Sequence, residues 1–413
     1  MNGIGRTLGL LLLPLLLSGC GDLFDVENPT NIVDEELEAE AMWTALGNSP
    51  EGVFSLGYDH LLLDAALIAD EGTHHATRTS RIELFQGTIA EWNEQYDARY
   101  NEMARARWVA DDIRERLSRL LASPDSDRRM AHAYFWGALS RVVLAEHFVE
   151  IPIDGGPPQS PADILESSVP LFDQAAQIAS AAGETRLAAA THGAKARALR
   201  SLYFERDRDM GLLTQAAQAA QQALNLDPSY RLDVRYQQPG TQNSFYARAS
   251  TGSQYDGMDP RYANQVDPVS GERDQRIQHT DAIATDGWGR TIYEPLKYQS
   301  RNDDIPVSRW QEAQLIIAEH HLESGDLPGA VNRINQVRGA AGLPDFGGGD
   351  AEEIFSQLEY ERRTEFWLEG RRWQDMRYYN LVPPEWTSAN QQRGVERRWP
   401  VSQQERDANQ HYR

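Results

Sequence analysis

The 413-residue chain has a single cysteine, Cys20, and two lysines, Lys195 and Lys297. One thiol has no intramolecular partner, so a disulfide framework is excluded and stability must come from packing. No apolar run reaches the roughly 20 residues that a helix needs to cross a bilayer; the stretch Leu8 to Leu17 is about half that. Positive charge is scarce, with 40 Lys and Arg against 62 Asp and Glu, a net charge of −22. That balance argues against nucleic acid and against electrostatic adhesion to anionic lipid. What positive charge exists is nearly all arginine. A hydrophobic content of 40% with 9% aromatics is that of a globular protein rather than a disordered one.

The short apolar run lies in an N-terminal segment with the organisation of an export signal: Arg6, the Leu-rich stretch, then Leu17-Ser18-Gly19-Cys20. These four residues fit a bacterial lipobox, in which the cysteine is acylated and becomes the first residue of the mature chain. Two or three acyl chains on Cys20 hold a protein stably to a membrane. The alternative is an ordinary secretory signal followed by a chance cysteine. On the lipobox reading residues 1–19 are the signal peptide, 20–34 a lipidated acidic tether, and 35–413 a single folded body. Gly21, rather than Asp, after the cysteine favours sorting to the outer membrane.

Helical periodicity dominates the body, so the fold class expected is all-α. Apolar residues recur at mixed three and four spacing over Glu35–Leu46, Gly57–Ile68, Ile89–Leu121 and Asp127–Phe148. Ser160, Pro161 and Asp163 form a helix start, and that helix runs to about Ala182. Arg186–Phe204 with Leu212–Leu226, and the two halves of Trp310–Val337 around Gly325-Asp326, read as Ala-rich helix hairpins of tetratricopeptide type. Helical repeats are therefore expected at about 127–228 and 310–345; ordinary helix pairs produce the same pattern.

Between the hairpins, 230–306 is rich in Gly, Asn, Gln, Asp, Pro and Tyr and has no helical stripe. A loop-rich insertion of this size in a helical chain points to ligand contact. Aromatic faces stack on sugar rings or peptide side chains, which nominates Tyr255, Tyr262, Trp288 and Tyr293. The plainer role for any single ring is to pin a loop to the scaffold. Asp70, Glu71, His74 and His75 cluster within six residues, but adjacent loop histidines more often diverge than converge, so no metal site is assigned. No cofactor is assigned.

Near the C-terminus, Asp350 with Glu353 forms a capping box for a helix expected over Ile354–Glu369. The text from Glu359 to Arg377, EYERRTEFWLEGRRWQDMR, closely resembles the signature of the SusD/RagB family of outer-membrane nutrient-binding lipoproteins. The matching residues are Glu361, Arg362, Arg363, Glu365, Glu369, Gly370, Arg372, Asp375 and Arg377. Ala318-Glu319, Ala330–Arg338 and Lys297-Tyr298, the last matching a strand in the family, extend the resemblance upstream. Arg398-Trp399-Pro400-Val401 and Glu405–Asn409 complete a C-terminal signature region at 350–409.

The three- and four-residue spacings of these charges suit arginine forks tying carboxylates and loop carbonyls together, a structural rather than catalytic use. Glycoside hydrolysis needs two carboxyls facing across a cleft, which residues along one helix do not provide. The resemblance implies a non-enzymatic, surface-facing receptor that captures an oligosaccharide, or a peptide, and delivers it to a TonB-dependent (SusC-like) barrel. It also adds Gly72–Gln86 to the ligand face, with His74, Arg78 and Arg81 as polar contributors. The chain is shorter than the family's usual glycan binders. The competing reading is a helical-repeat lipoprotein scaffold for assembly or docking, with no small ligand.

Overall fold

The computed structural model describes residues 38–87, 92–250, 255–381 and 398–413. Cys20, the signal at 1–19 and the tether at 20–34 lie outside them. The described body is predominantly helical, as its periodicity predicts.

The first helix, α1 (Trp43–Ile68), is one 26-residue element where two segments are expected from sequence. Gly47, Asn48, Ser49, Pro50 and Gly52 read as breakers, but Phe54, Tyr58 and Leu61 are fully buried, and packing overrides intrinsic propensity. Gly57 serves close contact: a Cβ there would lie 2.5 Å from Glu102 Cβ on a neighbouring helix. Strand β1 (Gly72–His74) and α2 (Thr79–Phe85) follow, then α3 (Glu94–Leu120) with its cap at Asn93; Ile89, where the helix is expected to begin, lies outside the described residues. On the exposed side of α3, Arg116 pairs with Asp112 at 2.8 Å and Arg119 with Glu115 at 2.8 Å.

The helices α4 (Arg128–His147), α5 (Pro161–Ala181), α6 (Thr185–Glu205) and α7 (Met210–Leu226) pack each on the next, with the short pair β2 (Ile151–Pro152) and β3 (Pro158–Gln159) after α4. Ser160 caps α5 and Asp209 caps α7. Small side chains set the α6/α7 spacing: Ala189, Ala190 and Ala196 face Ala216, Ala220 and Ala223 in one buried cluster.

The insertion is more ordered than its composition suggests. It holds β4 (Arg231–Val234), α8 (Ser244–Ala249), β5 (Asp256–Met258), α9 (Pro260–Ala263), β6 (Ala284–Thr285) and β7 (Thr291–Ile292). Strand β8 (Ile305–Arg309) leads into α10 (Trp310–Glu323), and α11 (Leu327–Ala340) turns back at Gly325. Four antiparallel strand pairs occur among the described residues: β1–β5, β2–β3, β4–β8 and β6–β7.

The capping box at Asp350 and Glu353 is formed, and α12 (Ala351–Glu365) ends four residues earlier than expected. Leu368 and Gly370 adopt positive φ, turning the chain into α13 (Arg372–Tyr378). A side chain at Gly370 is doubly disfavoured, since its Cβ would also lie 2.1 Å from Leu62 Cδ2. Lys297 and Tyr298, expected in a strand, lie outside the described strands: Lys297 Nζ reaches Glu369 at 2.6 Å, and Tyr298 donates to the Leu368 carbonyl at 3.1 Å. The terminal helix α14 (Gln403–Ala408) follows Trp399, which is buried against Trp373, His147 and Phe148.

The signature charges form a buried network. Glu361 accepts from Arg338 and Arg276 at 2.7 Å each. Arg338 also reaches Asp267 at 2.8 Å, and Arg276 reaches Asp274 at 2.7 Å. Arg309, at the end of β8, joins Glu365 (2.6 Å) and Glu369 (2.9 Å). Arg362 and Arg200 converge on Asp375 at 2.8 and 2.9 Å, Arg371 on Glu312 at 2.8 Å, and Arg372 on Asp70 at 2.6 Å. Arg377 donates to the Glu146 carbonyl at 2.5 Å. Removing one member of such a set strands a desolvated charge. Glu361→Gln is therefore expected to lower the unfolding free energy by about 3 kcal/mol in urea titrations. The exposed control Glu352→Gln should change it by no more than about 0.5 kcal/mol.

Candidate functional site

The two segments nominated from sequence meet. Strand β1 pairs with β5, setting Gly72 opposite Met258, Thr73 opposite Gly257 and His74 opposite Asp256. The early loop and the insertion thus share one small sheet, and the nominated residues divide by position.

His74 and Arg81 are interior. His74 Nδ1 lies 2.7 Å from Asp256 Oδ1, and Arg81 bridges Asp64 at 2.6 Å and Asp256 at 3.2 Å. Burial alone would raise the Asp256 carboxyl, but the His74 hydrogen bond and the charges of Arg81 and Arg248 hold it at about 2. Tyr262 is also buried, stacked on Trp367 at 5.9 Å with its hydroxyl 3.4 Å from Asp70. Tyr293 is half-buried with its ring edge-on to His279 at 5.4 Å.

Tyr255 and Trp288 face outward, each 55% exposed, and Arg78 is exposed in a 2.6 Å pair with Glu94. The two rings are joined through His75. The His75 backbone N–H donates to the Tyr255 carbonyl at 2.9 Å, while its Nδ1 lies 2.9 Å from Asp286 Oδ2. Asp286 in turn accepts the backbone N–H groups of Trp288 and Arg290, both at 2.9 Å, and Arg290 Nε at 2.7 Å. These donors, set against the effect of burial, hold the Asp286 carboxyl well below the usual range. An arginine accompanies each ring: Arg290 lies 4.9 Å from the Trp288 centroid and 4.6 Å from that of Phe85, and Arg248 lies 6.0 Å from that of Tyr255.

Sequence reasoning passed over Asp256, Asp286, Arg248 and Arg290. A signal for Asp286 existed in Asp286-Gly-Trp-Gly-Arg290, an Asx-type turn flanked by glycines. Asp256 carries none, because Arg81 and His74 lie 175 and 182 residues away from it; Arg248 pairs with Asp256 only eight residues on. Asp70, Glu71, His74 and His75 do not converge: Asp70 turns to Arg372, Glu71 to the Leu368 N–H at 2.8 Å, and the histidines to different aspartates. Among the described residues no group of three or more His, Cys, Asp or Glu side chains is placed to hold a metal ion. No described helix is long and apolar enough to cross a membrane.

Residues 290–412 match the model of the SusD family. No curated protein matches the chain. Solved structures resemble it over most of its length. A SusD homolog from Bacteroides thetaiotaomicron VPI-5482 is 14% identical with a TM-score of 0.73, covering 92% of this chain and 98% of its own. A SusD superfamily protein from Bacteroides vulgatus ATCC 8482 is 17% identical with a TM-score of 0.63, covering 86% and 91%. A SusD-like carbohydrate binding protein from Bacteroides fragilis NCTC 9343 is 18% identical with a TM-score of 0.65, covering 83% and 87%. The resemblance carried by the C-terminal block is borne out: that block is a SusD-family segment, and the body around it has the SusD-like fold.

Glu71, at the entry to β1, has no cationic partner at hydrogen-bond distance among the described residues; the Leu368 N–H donates to it at 2.8 Å. Burial pushes its carboxyl up to about 8. The native state therefore holds this proton longer than the unfolded chain, whose glutamates titrate near about 4.3. Its contribution to stability is fully present below that pH and is lost as pH rises through about 8. Between pH 5 and 8 the wild type should lose on the order of a few kcal/mol that Glu71→Gln retains, read as diverging melting temperatures across that range.

Proposed function

We propose that the chain is a non-catalytic surface receptor that binds an oligosaccharide at the β1–β5 face and passes it to a TonB-dependent outer-membrane barrel. Acylated Cys20 holds it to the outer membrane, with residues 20–34 as the tether between lipid and body. The observation that carries this reading is the pair of outward-facing rings, Tyr255 and Trp288, locked to each other through His75 and Asp286. Exposed aromatic faces held rigidly, with hydrogen-bonding side chains beside them, suit the apolar faces and hydroxyl rims of sugars. Peptide ligands use the same rings less fully, since their side chains vary in shape.

The carboxylates support a binding role over a hydrolytic one. Glu361, Glu365, Glu369 and Asp375 are consumed in arginine pairs inside the body, and Asp256 and Asp286 are held by histidine and arginine. None of these pairs flanks an open cleft as glycoside hydrolysis requires. Interior His74, Arg81 and Tyr262 serve this face by fixing its backbone, while Trp288, Tyr255, Arg78 and the half-buried Tyr293 touch ligand.

Glycan-array screening of the mature protein, followed by calorimetry on the hits, tests the proposal. Trp288→Ala and Tyr255→Ala should each weaken binding roughly tenfold with little change in melting temperature, as expected for exposed anchors. Unchanged affinity in both variants overturns the placement of the site. Binding to no glycan favours the scaffold reading.

A further inference from the structure

Fixing the backbone beneath an exposed ring does not fix the ring. The Trp288 N–H donates to Asp286 Oδ1 at 2.9 Å, but the indole beyond it turns about two side-chain torsions and is largely in solvent. Among the described residues its Nε1 makes no hydrogen bond and no aromatic ring stacks on it. What lies against it is the Arg290 guanidinium, 4.9 Å from the ring centroid. That guanidinium is itself tied down. Its Nε donates to Asp286 Oδ2 at 2.7 Å and its Nη2 to the His74 carbonyl. The N–H groups of a guanidinium lie in its plane, so bonds from two of its nitrogens set that plane and leave the faces for aromatic rings. Phe85, the last residue of α2, meets the same group at 4.6 Å. Three separate elements converge on one cation: α2 through Phe85, β1 through His74, and the turn between β6 and β7 through Asp286 and Trp288. The Arg290 side chain is only 25% exposed as a result. Tyr255 has no equivalent support, since Arg248 lies 6.0 Å from its centroid, at the limit of cation–ring attraction.

We infer that Arg290 is a positioning residue: backed by Phe85, it holds the Trp288 indole in one orientation, so that a ligand meets a ring already in place, on the face turned away from the guanidinium. The inference rests on the receptor reading above and names the group that sets one of its two anchors. An indole free to turn would have to be ordered by the ligand, which weakens binding. Here folding has ordered it beforehand.

Two measurements on the mature protein test this. In the ligand-free state, the fast component of time-resolved tryptophan anisotropy should grow in Arg290→Ala, and the same substitution made in Trp288→Ala should leave it unchanged. In calorimetry with a glycan that binds, Arg290→Ala should weaken affinity roughly threefold, less than Trp288→Ala itself. That loss should vanish in the Trp288→Ala background and persist in full in the Tyr255→Ala background. Phe85→Leu, which leaves the bonds to Asp286 and His74 in place, should act in the same direction more weakly and likewise vanish in Trp288→Ala. Unchanged anisotropy overturns the inference. So does an affinity loss that survives in Trp288→Ala, which would mean that Arg290 touches the ligand itself, or one that also disappears in Tyr255→Ala, which would mean that the whole face has collapsed. If glycan affinity falls in Trp288→Ala but is untouched by Arg290→Ala and Phe85→Leu, the positioning role falls while the receptor reading stands. If no glycan binds but the anisotropy changes as expected, the receptor reading falls while the hold on the indole stands.

Discussion

Charge buried without a partner is the constraint around which this protein is organised. The end of α12 and the turn into α13 place Glu361, Arg362, Glu365, Glu369, Arg371, Arg372 and Asp375 inside the body, and none of them is tolerable there alone. Their partners come from everywhere else: Asp70 from the exit of α1, Arg200 from α6, Arg276 and Lys297 from the insertion, Arg309 from β8, Glu312 from α10 and Arg338 from α11, the last also holding Asp267 of the insertion. Each pairing satisfies a demand that only one arrangement of segments meets. Buried ion pairs of this kind add little net stability over a well-packed apolar core. Here their number and long sequence separation make them a specification of which loop sits where.

That specification explains how a loop-rich insertion can present a defined face. The insertion is gripped from below by Asp267, Asp274 and Arg276 and from its C-terminal side by Lys297 and Tyr298, whose contacts with the Trp367–Glu369 turn replace a strand pairing. From above it is closed by three residues of antiparallel pairing with β1. Within that frame Asp286 collects four donors from a five-residue turn and from His75. The exposed indole of Trp288 therefore sits on backbone that has already surrendered its freedom, and a ligand need not order the turn on arrival.

The helical body was legible because its local rules agree with one another. The Ser160 cap, the Asp350 capping box, the alanine faces of α6 and α7 and the Gly325 turn all behave as their residues dictate. Legibility failed where packing overrode local preference. Gly47, Pro50 and Gly57 look like a break in α1, yet Gly57 is small because Glu102 crosses it, and the helix runs through. The signature charges were readable as structural from their spacing, whereas their partners were not, since Asp267 or Arg276 bears no local mark of its destination. The candidate face was half visible. The insertion and the rings Tyr255 and Trp288 follow from composition and the Gly72–Gln86 segment from the family resemblance alone, but the pairing of β1 with β5 and the linking role of His75 depend on contacts about 180 residues apart or more.

The ionic grip on the insertion acts at its base and leaves its crest alone. Between Ile283 and Arg290 no residue pairs with the signature helix, so substitutions, insertions or deletions there leave the scaffold's bookkeeping of charge untouched. A chain of this fold can thus alter its crest without disturbing its foundations, and a solved structure only 14% identical still superimposes over 92% of this chain and 98% of its own.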